Sequence, residues 1–102
     1  MTVATREVQL TDMLEALTDP VRVELLRVLR EGHEHCRDLP DYIGIHVSDL
    51  TKHLNLPQPM ISRHLARLRQ VGLVRVERRA QWMYYTRDEA VIASLKEQFN
   101  RL

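Results

Sequence analysis

One stretch constrains the chain most: Gln58-Pro-Met-Ile-Ser-Arg-His-Leu-Ala-Arg-Leu-Arg-Gln-Val71. At about 100° per residue, Ile61, Leu65 and Leu68 fall on one side of a helix. Pro59, Ser62, Arg63, Ala66 and Gln70 fall on the other, with Arg67 at its edge. The outer face is small, polar and basic. Small residues allow a helix to sink into a DNA major groove, and Ser, Arg and Gln can donate to base edges and phosphates. An ordinary amphipathic helix with a solvated basic face would show the same pattern, so its surroundings decide.

Upstream, Ser48-Asp-Leu-Thr-Lys-His-Leu54 reads as a shorter helix, with Ser48 as its N-cap and Leu50 and Leu54 on one face. The turn Asn55-Leu56-Pro57 joins the two, giving a helix-turn-helix over 48–71. Downstream, Gly72 suits a left-handed C-terminal cap. Two β-rich runs follow, Leu73 to Glu77 and Trp82 to Thr86, separated by Arg78-Arg-Ala-Gln81. A recognition-type helix followed by a basic-tipped hairpin predicts a winged helix-turn-helix with its wing at 73–86. Ala80 leaves the turn type of the tip open. On the wing, alternation places Trp82 and Tyr84 underneath, in the core, rather than free to stack on nucleic acid.

Charge follows the same division. Between Gln58 and Gln81 six arginines face one acid, Glu77, so the segment carries +5 while the whole chain carries +1. Everything else sums to −4. Such asymmetry is the footprint of a polyanion partner.

In order along the chain, residues 1 to 7 read as frayed. Leu10, Met13, Leu14 and Leu17 give a helical stripe over 8–18. Asp19 caps the next helix, Pro20 occupies its first turn, and Gly32 closes it after about Arg30. The final helix, 87–101, opens with a Thr86-x-x-Glu89 capping box. It presents Val91 or Ile92, Leu95, Phe99 and Leu102. The fold expected is mainly α with a small β wing (α+β), about five helices and a two- or three-stranded sheet in a single domain.

The motifs resemble the ArsR/SmtB family of winged-helix repressors. The resemblance rests on Asp19-Pro-Val-Arg22, Leu56-x-Gln-Pro-x-Ile-Ser-Arg-His-Leu65, Leu68-Arg-x-x-Gly-Leu-Val74 and Tyr84-Tyr85. It implies a homodimer joined through helices 8–18 and 87–101, binding a palindromic operator as a repressor and released by a metal or other signal. On the matching positions, Gln58, Ser62, Arg63, His64 and Arg67 would face the major groove and its phosphates. Arg78, Arg79 and Gln81 would hold the wing to the adjoining DNA.

Residues 33 to 46 form the least regular stretch, about ten residues longer than the resembling family uses here. They hold His33, His35, His46 and the only cysteine, Cys36. Imidazole and thiolate together can bind zinc, nickel or copper. An extended segment would put His33 and His35 on one side, whereas a helical one would put His33 with Cys36. These four are therefore the candidate sensor, beside the plainer reading of a solvated loop. The family's Cys-x-Cys element would fall on His46-Val-Ser48, without a cysteine, and residues 87 to 102 contain no histidine for its other metal site.

Other classes fit less well. No oriented triad or oxyanion-forming loop suggests an enzyme. A single cysteine fits a reducing cytosol, no run approaches a membrane span, and the N-terminal residues lack an apolar signal core, so a cytoplasmic protein is expected. The alternatives are a winged-helix protein-interaction module and a repressor without an effector or metal site.

Overall fold

The computed structural model describes residues 10–36 and 38–102. The expected fraying of residues 1–7 and the start of the first helix at residue 8 lie outside them. The first helix, α1, is helical over 10–16 and turns at Leu17 and Thr18. Its deepest residues are Met13 and Ala16, with Leu10, Leu14 and Leu17 only partly covered.

Helix α2 spans Pro20–Cys36. Asp19 Oδ1 accepts from the Val21 amide at 2.8 Å, which satisfies a first-turn donor as the sequence predicts. Leu25, Leu26, Val28 and Leu29 form its buried face. The helix does not end near Arg30. It passes through Gly32, which serves a close approach instead of a cap: a Cβ there would lie 2.7 Å from Ile45 Cδ1 and 2.9 Å from Tyr42 Oη. The returning chain thus packs directly on the helix, and that contact supports its last turn.

After the loop, β1 (Ile45–His46) leads into α3 (Val47–Leu54) and α4 (Gln58–Gln70). Asn55 takes the left-handed conformation between the two helices, and its amide returns to Thr51 O. Helix α3 is capped by His46, two residues before the expected Ser48 cap, and the His46 side chain accepts from the Ser48 amide. The reason is Val47: it is buried in the core and belongs to the first helical turn, which pushes the cap back to His46. Ile61, Leu65 and Leu68 of α4 are fully buried, as their spacing requires.

The wing comprises β2 (Val74–Arg79) and β3 (Trp82–Arg87). With β1 they make a three-stranded antiparallel sheet in the order β1-β3-β2. Ile45 pairs with Tyr85, and Val76 pairs with Tyr85 from the other side. Ile45 and Tyr85 pack against the core, which sets the sheet's inner face. The hairpin is tighter than the sequence suggests. Arg78 and Arg79 pair with Met83 and Trp82, leaving only Ala80 and Gln81 in the loop.

Helix α5 spans Glu89–Asn100, with Asp88 as its N-cap accepting from the Val91 amide. The expected Thr86–Glu89 capping box does not form, because Thr86 and Arg87 remain in β3, paired with Arg75 and Val74. Ile92 and Leu95 reach the core, while Phe99 is 58% exposed. Leu14 and Leu17 of α1 and Leu95 and Phe99 of α5 line an apolar groove of about 370 Å³. No helix among the described residues is long and apolar enough to cross a membrane.

Candidate nucleic-acid interface

Helix α4 has an unusual first turn. Its N-cap is Pro57, which offers no side-chain bond, and the turn contains no acid. Pro59 sits in that turn, where a missing N–H costs nothing. The positive end of the helix dipole therefore meets no acid from its own first turn. Gln58, Arg63 and Ala66 are exposed beside it, and Ser62 is half-buried. The outward face read from periodicity is the outward face of the fold.

The guanidinium groups fall into two classes. Arg67 is occupied: it pairs with Glu15 of α1 and donates to Gln70 Oε1 at 3.0 Å. Arg79 is paired with Glu77 at 2.9 Å. Arg63, Arg69, Arg75 and Arg78 make no ion pair or side-chain hydrogen bond among the described residues. Exposed cations on one helix and one wing raise the local positive potential, which favours a polyanion partner. Gln81 is exposed at the wing tip beside them. The sequence does not single out Arg69, because the helical projection places it away from the outer face.

His64 is half-buried, and its Nδ1 lies 3.4 Å from an Arg22 guanidinium nitrogen. Arg22 also donates to Ala16 O at the end of α1. His64 therefore joins α4 to the start of α2, a bracing role at the edge of the outward face of α4. The Asp19-to-Arg22 motif carries the signal for this contact, since it places a cation one turn into α2.

The candidate metal ligands do not assemble. Because α2 continues to Cys36, His33 and Cys36 share a helix face at i, i+3, and His35 does not join them. His33 lines a groove with Tyr42, Arg75, Thr86, Arg87 and Glu89. His46 is engaged elsewhere, with its Nδ1 2.6 Å from Ser48 Oγ and 3.2 Å from the Ser48 amide. Its ring is also met edge-on by Trp82 and Tyr84. No three His, Cys, Asp or Glu among the described residues come together as a ligand set. Of the four candidate ligands, His33 and Cys36 are the pair that share a helix face, and a third ligand would have to come from elsewhere.

Trp82 and Tyr84 differ from expectation as well. Alternation along β3 puts Met83, Tyr85 and Arg87 on one face and Trp82, Tyr84 and Thr86 on the other. The core takes Tyr85, so Trp82 and Tyr84 lie on the outer face and Trp82 is 48% exposed. The sequence contains two adjacent tyrosines, and only the pairing with Ile45 and Val76 decides which one faces inward.

Comparison with known proteins agrees with this geometry. The family of bacterial regulatory proteins described as the arsR family matches residues 19–76. An uncharacterised HTH-type transcriptional regulator of Bacillus subtilis is 32% identical, over 84% of this chain and 90% of that protein. An arsenic resistance transcriptional regulator of Pseudomonas putida is 40% identical, over 72% of this chain and 49% of that protein. Among solved structures, HlyU from Vibrio cholerae superposes with a TM-score of 0.69 at 26% identity, covering 93% of this chain and 91% of that one.

Proposed function

The chain belongs to the ArsR family of bacterial regulatory proteins and is a DNA-binding transcriptional regulator, not an enzyme; from that premise we propose that it is a cytoplasmic repressor acting as a homodimer on a palindromic operator. The observation that carries the proposal is the set of unpaired arginines on α4 and the wing, beside a recognition helix whose first turn is free of acids. Gln58, Ser62, Arg63 and His64 would meet the major groove and its phosphates, and Arg67 would join them once freed from Glu15. Arg78, Arg79 and Gln81 would hold the wing to the adjoining backbone. The groove between α1 and α5, with Phe99 exposed beside it, supports a two-fold dimer through those helices. Such a dimer would present two α4 helices about one DNA turn apart.

The geometry does not support release by a metal ion held within one chain. A signal would instead act at the last turn of α2, where His33 and Cys36 share a face, through thiol chemistry or with ligands from a second subunit. A repressor without an effector is the other reading.

The test is binding of the reduced protein to a duplex from its own upstream region. Zinc, nickel, copper(I) and arsenite are added in turn, and Cys36→Ser and His33→Ala variants run in parallel. Arg63→Ala should weaken binding by about 1–3 kcal/mol if it reads a base, and equally on all sequences if it meets phosphate. Unchanged affinity with folding intact would sink the assignment of α4. Release by one ion that the variants abolish would place the sensor at the end of α2. Binding that no ion alters would favour the effector-independent repressor.

A further inference from the structure

The outer face of the wing carries a side chain that the arginine pattern does not account for. Trp82 is half-exposed, and burying an indole is among the larger apolar gains a side chain can make, so leaving it in water forgoes stability. It is held in place nonetheless. The His46 ring meets it edge-on, with centroids 4.9 Å apart and planes at 70°. His46 is itself fixed by two contacts to Ser48 at the start of α3, and Tyr84 flanks it at 5.6 Å. One side of the indole is thus braced from the helix-turn-helix, while the rest is open.

Its position is also specific. Trp82 is the first residue of β3, directly opposite Arg79 and immediately after the two-residue loop at the wing tip. Arg79 shares the face of Trp82, whereas Arg78, paired with Met83, is on the opposite one; the Arg79 side chain stays 63% exposed although it pairs with Glu77. The apolar groove between α1 and α5 lies on other elements, so the subunit contact proposed above does not involve this face. A flat, braced ring beside cations suits the sugar–phosphate edge of duplex DNA, whose deoxyribose is apolar between charged phosphates.

We propose that Trp82 is a DNA-contact residue, packing its open indole face against the deoxyribose backbone beside the wing while Arg79, opposite it on the same face, neutralises the adjoining phosphate. This rests on the DNA-binding reading and adds to it an uncharged, apolar contact. Two consequences separate it from the arginines. Loss of the indole lowers affinity by the same factor at every salt concentration, because no counterion is released with it. Loss of Arg79 lowers the salt dependence itself by about one ion.

Trp82 is the only tryptophan in the chain, so its fluorescence reports on this contact alone. The experiment titrates the full chain with a mixed-sequence duplex at low salt, following Trp emission in one series and anisotropy of a labelled duplex in another. Trp82→Ala, Trp82→Phe and Arg79→Ala are compared across a salt series, with circular dichroism to check folding. The expected result is a change in Trp emission that saturates with the anisotropy. Affinity should fall about tenfold for Trp82→Ala in parallel at all salts, and less for Trp82→Phe. Saturated binding with unaltered emission, or Trp82→Ala binding as tightly as wild type, would overturn the proposal and leave the DNA-binding reading standing. No binding by the wild type would overturn both.

Discussion

Arg67 of the recognition helix reaches back to the Glu15 carboxylate of α1 while another of its nitrogens donates to Gln70. The Arg67 hydrogen bond and charge hold the Glu15 carboxyl below its ordinary value, against a small opposing effect of burial, and Arg22 adds to the lowering. The pair connects a helix of the proposed dimer contact to the proposed DNA-facing surface, and it occupies a cation that DNA would otherwise use. Glu15→Gln should therefore release Arg67, tightening non-specific duplex binding and steepening its salt dependence by about one ion. Anisotropy titrations over a salt series measure both. A slope identical to wild type would show that Arg67 serves only to join the helices.

Ala80 lies at φ 54° in the two-residue wing loop, a left-handed conformation in which a Cβ is crowded. Glycine removes the crowding at the cost of a more flexible unfolded chain. Ala80→Gly is expected to stabilise the fold by about 0.5–1 kcal/mol, seen as a higher midpoint in urea with an unchanged slope. A lower midpoint would mean that the loop relaxes around Ala80 without strain.

The sequence made the helix-turn-helix readable because its two helices obey one rule, apolar residues at helical spacing between a cap and a breaker. Ile61, Leu65 and Leu68 needed nothing else. The +5 segment was equally direct, since charge is counted and not folded. Positions decided by tertiary pairing were not legible. Gly32 looks like a stop until the loop is seen lying on it. Trp82 and Tyr85 have the same β preference, and only the register with Ile45 and Val76 sends one inward and the other out. The division of the arginines also depends on three dimensions, because Glu15 is 52 residues from Arg67 along the chain.

Gly44 is the position where the fold tolerates least. Its φ is 130°, and a Cβ would lie 2.6 Å from the Tyr85 carbonyl oxygen and 2.9 Å from its carbon. Those atoms are backbone in the central strand and cannot turn aside. Gly44→Ala should cost about 3 kcal/mol, combining backbone strain with overpacking. Because it displaces β1, it should also disturb the His46 cap and the α3 start. Urea unfolding gives the energy, and loss of the His46–Trp82 contact should shift Trp emission in the folded protein. A cost below about 1 kcal/mol would show that the β1–β3 pairing is not rigid.

Arg87 donates to both carboxylate oxygens of Glu89, at 2.9 and 2.6 Å, and its own side chain is only 10% exposed. The Arg87 hydrogen bond lowers the Glu89 carboxyl pKa most, burial opposes it, and the charges of Arg87, His33 and Lys96 lower it further. The folded protein therefore binds this proton less readily than the unfolded chain. Its contribution to stability is complete above the ordinary glutamate value and is lost as pH falls through the lowered folded value. Glu89 is 40% exposed, so solvent screening limits the contribution to under about 1 kcal/mol. Glu89→Gln should lower stability at neutral pH by that small amount and leave it unchanged in strong acid, flattening the acid limb of the stability curve. Removing Arg87 should cost more at neutral pH, because an unpaired Glu89 is then left beside Asp88 at the start of α5. Equal losses at neutral and acid pH for Glu89→Gln would show that Glu89 acts through packing instead of charge.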